Sequence, residues 1–155
     1  MTDEHCMRLA LGACRCGVEA GQSPFAACIA SAGQIIACTH NQVWRNTDPT
    51  AHAEVQCIRQ ACTALGTIHL EGCTIYSTTE PCPMCYAAIH WARLTRIVFA
   101  ARVADAKRYG FNELQISNRT MMRLGGSAIA VVPDFLRDEA LAVYEQWLNG
   151  GGRVY

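Results

Sequence analysis

The chain has 155 residues, of which 51% are hydrophobic and 17% are charged. This composition is typical of one globular domain with a substantial core and excludes a disordered chain. Basic and acidic residues number 13 each, so the formal net charge is zero. Proteins that bind duplex nucleic acid or tRNA usually carry a basic surplus, so the charge balance disfavours nucleic acid as a partner.

The N-terminal segment and the cysteines indicate a cytoplasmic protein. Residues 1–21 carry charges at helical spacing and lack the basic start and unbroken apolar stretch of a signal peptide. No apolar run approaches the length of a membrane span, so no membrane association is expected. Most of the ten cysteines lie in apolar runs, so we interpret them as buried free thiols rather than as a disulfide framework.

Helical and strand patterns alternate along the chain. Thr2 or Asp3 is a good N-cap for the first helix, and Asp48 and Pro49 form a typical helix entry further on. The patterns predict, in chain order, a helix over 3–20, two strands in a hairpin around Gly33, a loop over 41–48, a helix over 49–65, a strand over 73–78, a helix over 81–94, a strand over 96–101, a helical piece over 103–110, an irregular segment over 111–127, a strand within 127–133 and a helix over 134–149.

This order predicts a single domain over 1–155 with a three-layer α/β/α fold. The mixed sheet should have five strands, the first two antiparallel and the next mostly parallel. In such folds ligands gather at the carboxyl ends of strands, where helices begin. A glycine-rich stretch, residues 149–153, precedes the C-terminal tail and would let that tail reach across an interface.

Two short motifs lie at predicted helix starts. PTAHAEVQ, residues 49–56, contains His52 and Glu54, and EPCPMC, residues 80–85, contains Cys82 and Cys85. A catalytic zinc site has three protein ligands of these kinds and leaves a fourth position for water, whose pKa the metal lowers to roughly 7. We expect His52, Cys82 and Cys85 to bind zinc, and Glu54 to lie beside the metal and move protons.

Each motif alone has simpler interpretations. A lone His-x-Glu is usually a structural or surface feature, and a lone Cys-x-x-Cys is also typical of a redox pair. A structural zinc site would need a fourth ligand, for which Cys73 is available. Together, however, the motifs match H-x-E…P-C-x-x-C, the signature of zinc-dependent deaminases.

At these residues the chain resembles the cytidine deaminase-like superfamily, and within it most closely the bacterial guanine deaminase branch. NTDPTAHAE is similar to the branch's helix entry, AAIHWAR resembles its GAIYWAR, and ADAKRYGFNE resembles its DA…GFDD segment. The resemblance implies the cytidine deaminase-like fold, zinc as cofactor, and deamination of a purine. It also implies a homodimer in which the C-terminal segment, about 149–155, is exchanged and closes the partner's site.

The resemblance also implies roles for individual residues in catalysis. His52, Cys82 and Cys85 match the zinc ligands, and Glu54 matches the glutamate that transfers protons. Glu113 aligns with a second acidic residue that contacts the base and helps to protonate the leaving amine. The branch commonly has aspartate there, and glutamate is one methylene longer.

The substrate-binding set implied by the resemblance lies on several elements. Asn41 matches an asparagine that hydrogen-bonds the purine, and Phe25 and Trp91 match pocket aromatics. Tyr155 matches a terminal residue that reaches into the pocket, and Ala53 lies between the two residues of the first motif. Without the resemblance, Trp91 and Phe25 would be interpreted as core residues, Asn41 as a turn residue and Tyr155 as a frayed terminus.

The function predicted from these motifs is zinc-dependent hydrolysis of guanine to xanthine and ammonia. Alternatives within the same chemistry are guanosine, cytosine, a triazine such as ammeline, or adenosine in tRNA. Residues 135–149 of the closing helix contain one arginine and three acidic residues, which disfavours tRNA. A non-catalytic, zinc-stabilised interaction module is the alternative from another class, and it would have no use for Glu54.

Overall fold

The computed structural model describes residues 1–155 and confirms the predicted three-layer α/β/α architecture around a mixed sheet of five strands. The strands are β1 (Ala26–Ser31), β2 (Gln34–His40), β3 (Thr74–Thr79), β4 (Arg96–Ala101) and β5 (Ala130–Val132). The helices are α1 (Asp3–Glu19), α2 (Val43–Asn46), α3 (Ala53–Leu65), α4 (Pro83–Trp91), α5 (Val103–Arg108), α6 (Asn118–Gly125) and α7 (Arg137–Asn149).

The strand directions place several chain segments at one edge of the sheet. The strand order is β2-β1-β3-β4-β5, with β1 antiparallel to both of its neighbours and β3, β4 and β5 parallel. The carboxyl ends of β2, β3 and β4 therefore lie at the same edge as the amino end of β1. The predicted functional residues follow or precede strands at that edge, so the topology brings them together.

Helices cover the sheet and bury its central strands. Helices α1 and α7 pack against strands and each other, whereas α3 packs on β1 and β2 and contacts α4. The side chains of β1, β3 and β4 are buried almost throughout, as expected for strands covered on both faces. All ten cysteines are free, which confirms the interpretation as thiols. None of the helices is long and apolar enough to span a bilayer.

Four local predictions are wrong. The helix expected from Pro49 begins at Ala53, and the helix expected from Pro81 begins at Pro83. In the first case the Asp48 carboxylate accepts hydrogen bonds from the backbone N–H and the hydroxyl of Thr50, 2.8 and 2.7 Å away. This local turn competes with the helix. The predicted loop contains α2, and the predicted irregular segment contains α6.

Candidate metal centre and its pocket

The two sequence motifs occupy equivalent positions at the starts of α3 and α4. His52 and Cys82 are the N-cap residues of these helices, and both have extended backbones, with φ −62° and ψ 153° or 167°. Neither side chain caps its own helix. The extended N-cap therefore turns each side chain away from its helix, toward the other motif.

The three predicted ligands form one cluster. The Nδ1 atom of His52 lies 3.6 Å from the sulfur of Cys82 and 3.6 Å from the sulfur of Cys85. A tetrahedral ion with ordinary Zn–N and Zn–S bonds holds nitrogen and sulfur ligands about 3.6 Å apart. All three ligand atoms lie within 4.8 Å of one another. The donor set and its spacing fit zinc, with three protein ligands and no fourth.

Hydrogen bonds among the three ligands, together with burial, shift their pKa values. A hydrogen bond from the Cys85 thiol, assisted by His52, lowers the pKa of Cys82 to about 4. The same bond to Cys82, together with burial, raises the pKa of Cys85. Burial lowers the pKa of His52, but the hydrogen bond and charge of Cys82 outweigh it, so the pKa is raised overall. Zinc binding must therefore expel protons from these ligands, as is usual for such sites.

Glu54 lies beside the cluster rather than completing it. It is the second residue of α3 and is buried. One carboxylate oxygen accepts a hydrogen bond of 2.8 Å from the Ser77 hydroxyl, and the other lies 3.4 Å from the sulfur of Cys85. Burial, and next the negative charge of Cys82, raise the pKa of Glu54. A carboxyl group with a raised pKa next to a metal site is suited to accept and return protons.

A cavity of about 350 Å³ opens onto the cluster and is lined by Pro49, His52, Cys82, Pro83, Met84, Phe111, Asn112, Glu113, Leu114 and Tyr155. Its size is at the lower end of the range for small-molecule sites. Glu113 also lines a smaller inner pocket together with Glu54. Burial, followed by the charge of Cys82, raises the pKa of Glu113 to about 7.

Aromatic rings form one wall of this site. Phe25 is buried and lines the inner pocket, and its ring lies 4.7 Å from that of Phe111. The ring of Tyr155 lies 5.6 Å from Phe111 and 5.8 Å from His52, centroid to centroid. The C-terminal tail of this single chain thus reaches its own site.

Asn41 is held rigidly behind Tyr155. It is fully buried, and its Nδ2 atom donates to the Tyr155 hydroxyl at 2.8 Å. Its Oδ1 atom accepts from the backbone N–H of Val43 at 3.1 Å. Asn41 lines neither the cavity nor the inner pocket, so its contact with the site runs through Tyr155.

Within one chain, the structure does not bring Trp91 to the pocket. Trp91 ends α4, its side chain is 82% exposed, and it does not line the cavity. It lies nine residues beyond Cys82, a distance of about 13 Å along a helix. Ala53 is fully buried in the core and does not line the cavity, although it lies next to His52.

Three residues at the site were missed from sequence. Phe111 lies in the GFNE segment that drew attention to Glu113, and Ser77 faces Glu54 from β3. Glu80 is buried, and its carboxylate accepts the backbone N–H groups of Val103 and Asn118 at 3.2 and 2.8 Å. Since Asn118 also donates its side-chain N–H to the Pro81 carbonyl at 2.6 Å, this network fixes the loop that carries Cys82 against the segment that carries Glu113.

Comparisons with known proteins agree with this geometry. Residues 1–101 match the sequence model of the cytidine and deoxycytidylate deaminase zinc-binding region. Guanine deaminase of Bacillus subtilis (strain 168) is 49% identical over 98 residues, which are 63% of this chain and 63% of that protein. The match thus spans less than two thirds of the length of that relative.

Two further comparisons, one by sequence and one by structure, include both kinds of deaminase. The tRNA-specific adenosine deaminase of Aquifex aeolicus (strain VF5) is 42% identical over 101 residues, 65% of this chain and 67% of that protein. A solved structure of guanine deaminase from Nitrosomonas europaea has a TM-score of 0.87 at 30% identity and covers 94% of this chain and 84% of that chain. The sequence matches to the two kinds of enzyme have similar lengths, 98 and 101 residues.

The family match covers the ligand cluster and Glu54, and His52, Cys82 and Cys85 are positioned to bind the metal. The predicted zinc cofactor is therefore confirmed. This chain belongs to the family of the cytidine and deoxycytidylate deaminase zinc-binding region.

Proposed function

We propose that this protein hydrolyses the exocyclic amino group of a free purine base, converting guanine to xanthine and ammonia. The main support is the cavity itself, which is lined by the metal ligands His52 and Cys82 together with Glu113 and Tyr155. None of its lining residues is lysine or arginine, whereas an entrance for an anticodon loop should be basic. The similarity to guanine deaminases adds to this support.

The chain's own residues supply the proton transfers in this reaction. Zinc, when bound, acts as a Lewis acid and makes water a nucleophile at neutral pH. Glu54 takes one proton of the attacking water and passes it to a ring nitrogen. As the C–O bond forms and the C–N bond breaks, the second proton goes to the amino group, which leaves as ammonia. The aromatic rings orient the base, and Asn41 supports this by holding the Tyr155 hydroxyl.

Glu113 is proposed to bind the exocyclic amine and assist its departure. Replacing it with glutamine should reduce kcat for guanine about 100-fold, because the amide can no longer exchange the proton. Glu113→Asp keeps the carboxyl group but shortens its reach by one methylene, so we expect a smaller loss. Steady-state kinetics on both variants measures this, and a glutamine variant with wild-type kcat would remove Glu113 from the mechanism.

The substrate is tested by a panel assayed for ammonia release: guanine, guanosine, cytosine, ammeline and an RNA stem-loop carrying an anticodon adenosine. We expect guanine to have the highest kcat/KM. The matches to tRNA adenosine deaminases make the stem-loop the sharpest competitor. Turnover of the stem-loop without turnover of guanine would overturn the proposed substrate and leave the deaminase chemistry intact.

A homodimer is proposed to cover the outer face of α4. Trp91 is 82% exposed, Met84 is 37% exposed, and α4 contains no acidic or basic residue other than His90. Leu124 on the neighbouring α6 is 73% exposed. Apolar side chains grouped in this way are typical of a face that pairs with an identical copy. In this structure the tail of one chain reaches its own site, so closing the site does not require exchange between subunits. Exchange of the C-terminal tails therefore stays a prediction.

Trp91→Arg should shift the protein from dimer to monomer, because a charge at the centre of an apolar interface is costly to bury. Sedimentation velocity measures the change. Leu9→Arg is the matched control, since Leu9 is an exposed apolar residue of α1, which packs on other elements. A monomeric wild type, or a Trp91→Arg variant that stays dimeric, would exclude this face as the interface.

A further inference from the structure

The half-buried Trp44 has no place in the hydrophobic core. It lies in α2, just after Asn41, and does not belong to the core cluster or to the side chains packed against it. Its indole N–H is buried without an acceptor. Core packing therefore does not explain why the chain places its largest kind of side chain here.

Both ring contacts of Trp44 are with the C-terminal tail. The Arg153 guanidinium carbon lies 3.8 Å from the centroid of the Trp44 ring, a distance typical of a cation–π contact. The ring of Tyr155 meets Trp44 edge-on, with centroids 6.2 Å apart and an interplanar angle of 76°. Arg153 makes no ion pair in this structure.

The tail is joined to α7 by a turn of defined geometry. Gly152 donates its N–H to the Trp147 carbonyl at 3.0 Å. A Cβ atom at Gly152 would lie 2.2 Å from the Trp147 ring, so only glycine fits there. Gly151 has a φ of +75°, which glycine adopts without strain. Beyond this turn, the Val154 side chain lies close to Gly110, and Arg153 and Tyr155 both contact Trp44.

We propose that Trp44 and Arg153 form a latch that holds Tyr155 over the metal centre, and that both are positioning residues. Trp44 contacts both tail side chains, and Asn41, three residues earlier, holds the Tyr155 hydroxyl. The latch thereby keeps the aromatic ring of Tyr155 against the cavity. The effect of the latch on catalysis rests on the proposed function, in which Tyr155 forms part of the binding site for the base.

The position of the tail can be tested without any assay of activity. Carboxypeptidase A removes an aromatic C-terminal residue only when the tail is free, and mass spectrometry follows the release of Tyr155. Trp44→Leu and Arg153→Gln should each accelerate release roughly fivefold, as expected from the strength of a cation–π contact. Trp44→Phe and Arg153→Lys keep a ring and a cation, so release should stay near the wild-type rate.

A double variant and kinetics complete the test. Since Arg153 acts through Trp44, whereas Trp44 also contacts Tyr155, Trp44→Leu combined with Arg153→Gln should release Tyr155 no faster than Trp44→Leu alone. In the enzyme assay, loss of the latch should raise KM for guanine about fivefold and change kcat less than twofold, since the groups that transfer protons stay in place.

Release of Tyr155 at the wild-type rate from a folded Trp44→Leu protein would overturn the latch. Should that variant not fold, Arg153→Gln at the exposed end of the tail gives the same decision. A wild-type protein that does not act on purines would end the proposed function, and the carboxypeptidase result would still confirm or overturn the latch.

Discussion

Replacing Glu54 with glutamine should give a folded protein that still binds zinc and deaminates purines at least roughly 1,000-fold more slowly. The amide has nearly the same shape and can keep a hydrogen bond to Ser77, which lies 2.8 Å from the carboxylate. It cannot, however, take a proton from water and return it to the base. The loss should therefore appear in kcat, with little change in KM.

Two measurements separate this prediction from an effect on the metal. Zinc content by mass spectrometry should match that of the wild type, and ammonia release should not. Ser77→Ala is a graded control, because it removes one hydrogen bond from Glu54 and leaves its carboxyl group, so we expect only a loss of about tenfold. A glutamine variant with wild-type activity would remove Glu54 from the proton transfers, whereas a zinc-loaded wild type that releases no ammonia would favour the non-catalytic zinc module.

Replacing Cys85 with alanine should abolish both zinc retention and activity. Cys85 is fully buried and supplies one of the three ligand atoms of the cluster. Loss of an outer-shell partner alone weakens metal binding about 10- to 100-fold, so loss of a ligand should exceed about 100-fold. Competition with a chromophoric chelator measures the affinity, and thermal unfolding with and without zinc shows how far the metal stabilises the fold.

Cys57→Ala is the matched control for this variant. Like Cys85, Cys57 is a fully buried cysteine, but it lies in α3 rather than α4. Its thiol donates to the Ala37 carbonyl at 3.5 Å, away from the cluster. The control should lose some stability but keep zinc and activity. If Cys57→Ala and Cys85→Ala lose zinc equally, the effect comes from destabilised packing and Cys85 is not a specific ligand.

The metal ligands were predictable from sequence because the two motifs together match the signature of zinc-dependent deaminases and each lies at a helix start. Cys82 and Cys85 lie within the first turn of α4, and His52 lies at the start of α3, as the motifs predicted. Their exact place on the helices was not predictable. The turn made by Asp48 and Thr50 delays α3 until Ala53, so His52 is an extended N-cap rather than a helical residue.

The outer parts of the site depend on contacts between distant segments, which one sequence does not reveal. Ser77 meets Glu54 only because β3 lies beside α3, and Trp44 meets Arg153 only because the tail folds back. Trp91 is a case in which a matching motif did not bring the residue to the cavity of its own chain. Its motif matched the branch, but helix geometry carries it to the far end of α4 and into solvent.

X-ray absorption at the zinc edge of the purified protein tests the metal centre most directly. We predict one nitrogen and two sulfur neighbours from His52, Cys82 and Cys85, and one oxygen neighbour from solvent at the fourth position. A fit that requires three or four sulfur neighbours would indicate a closed structural site, for which Cys73 was the candidate ligand. That result would contradict a catalytic centre.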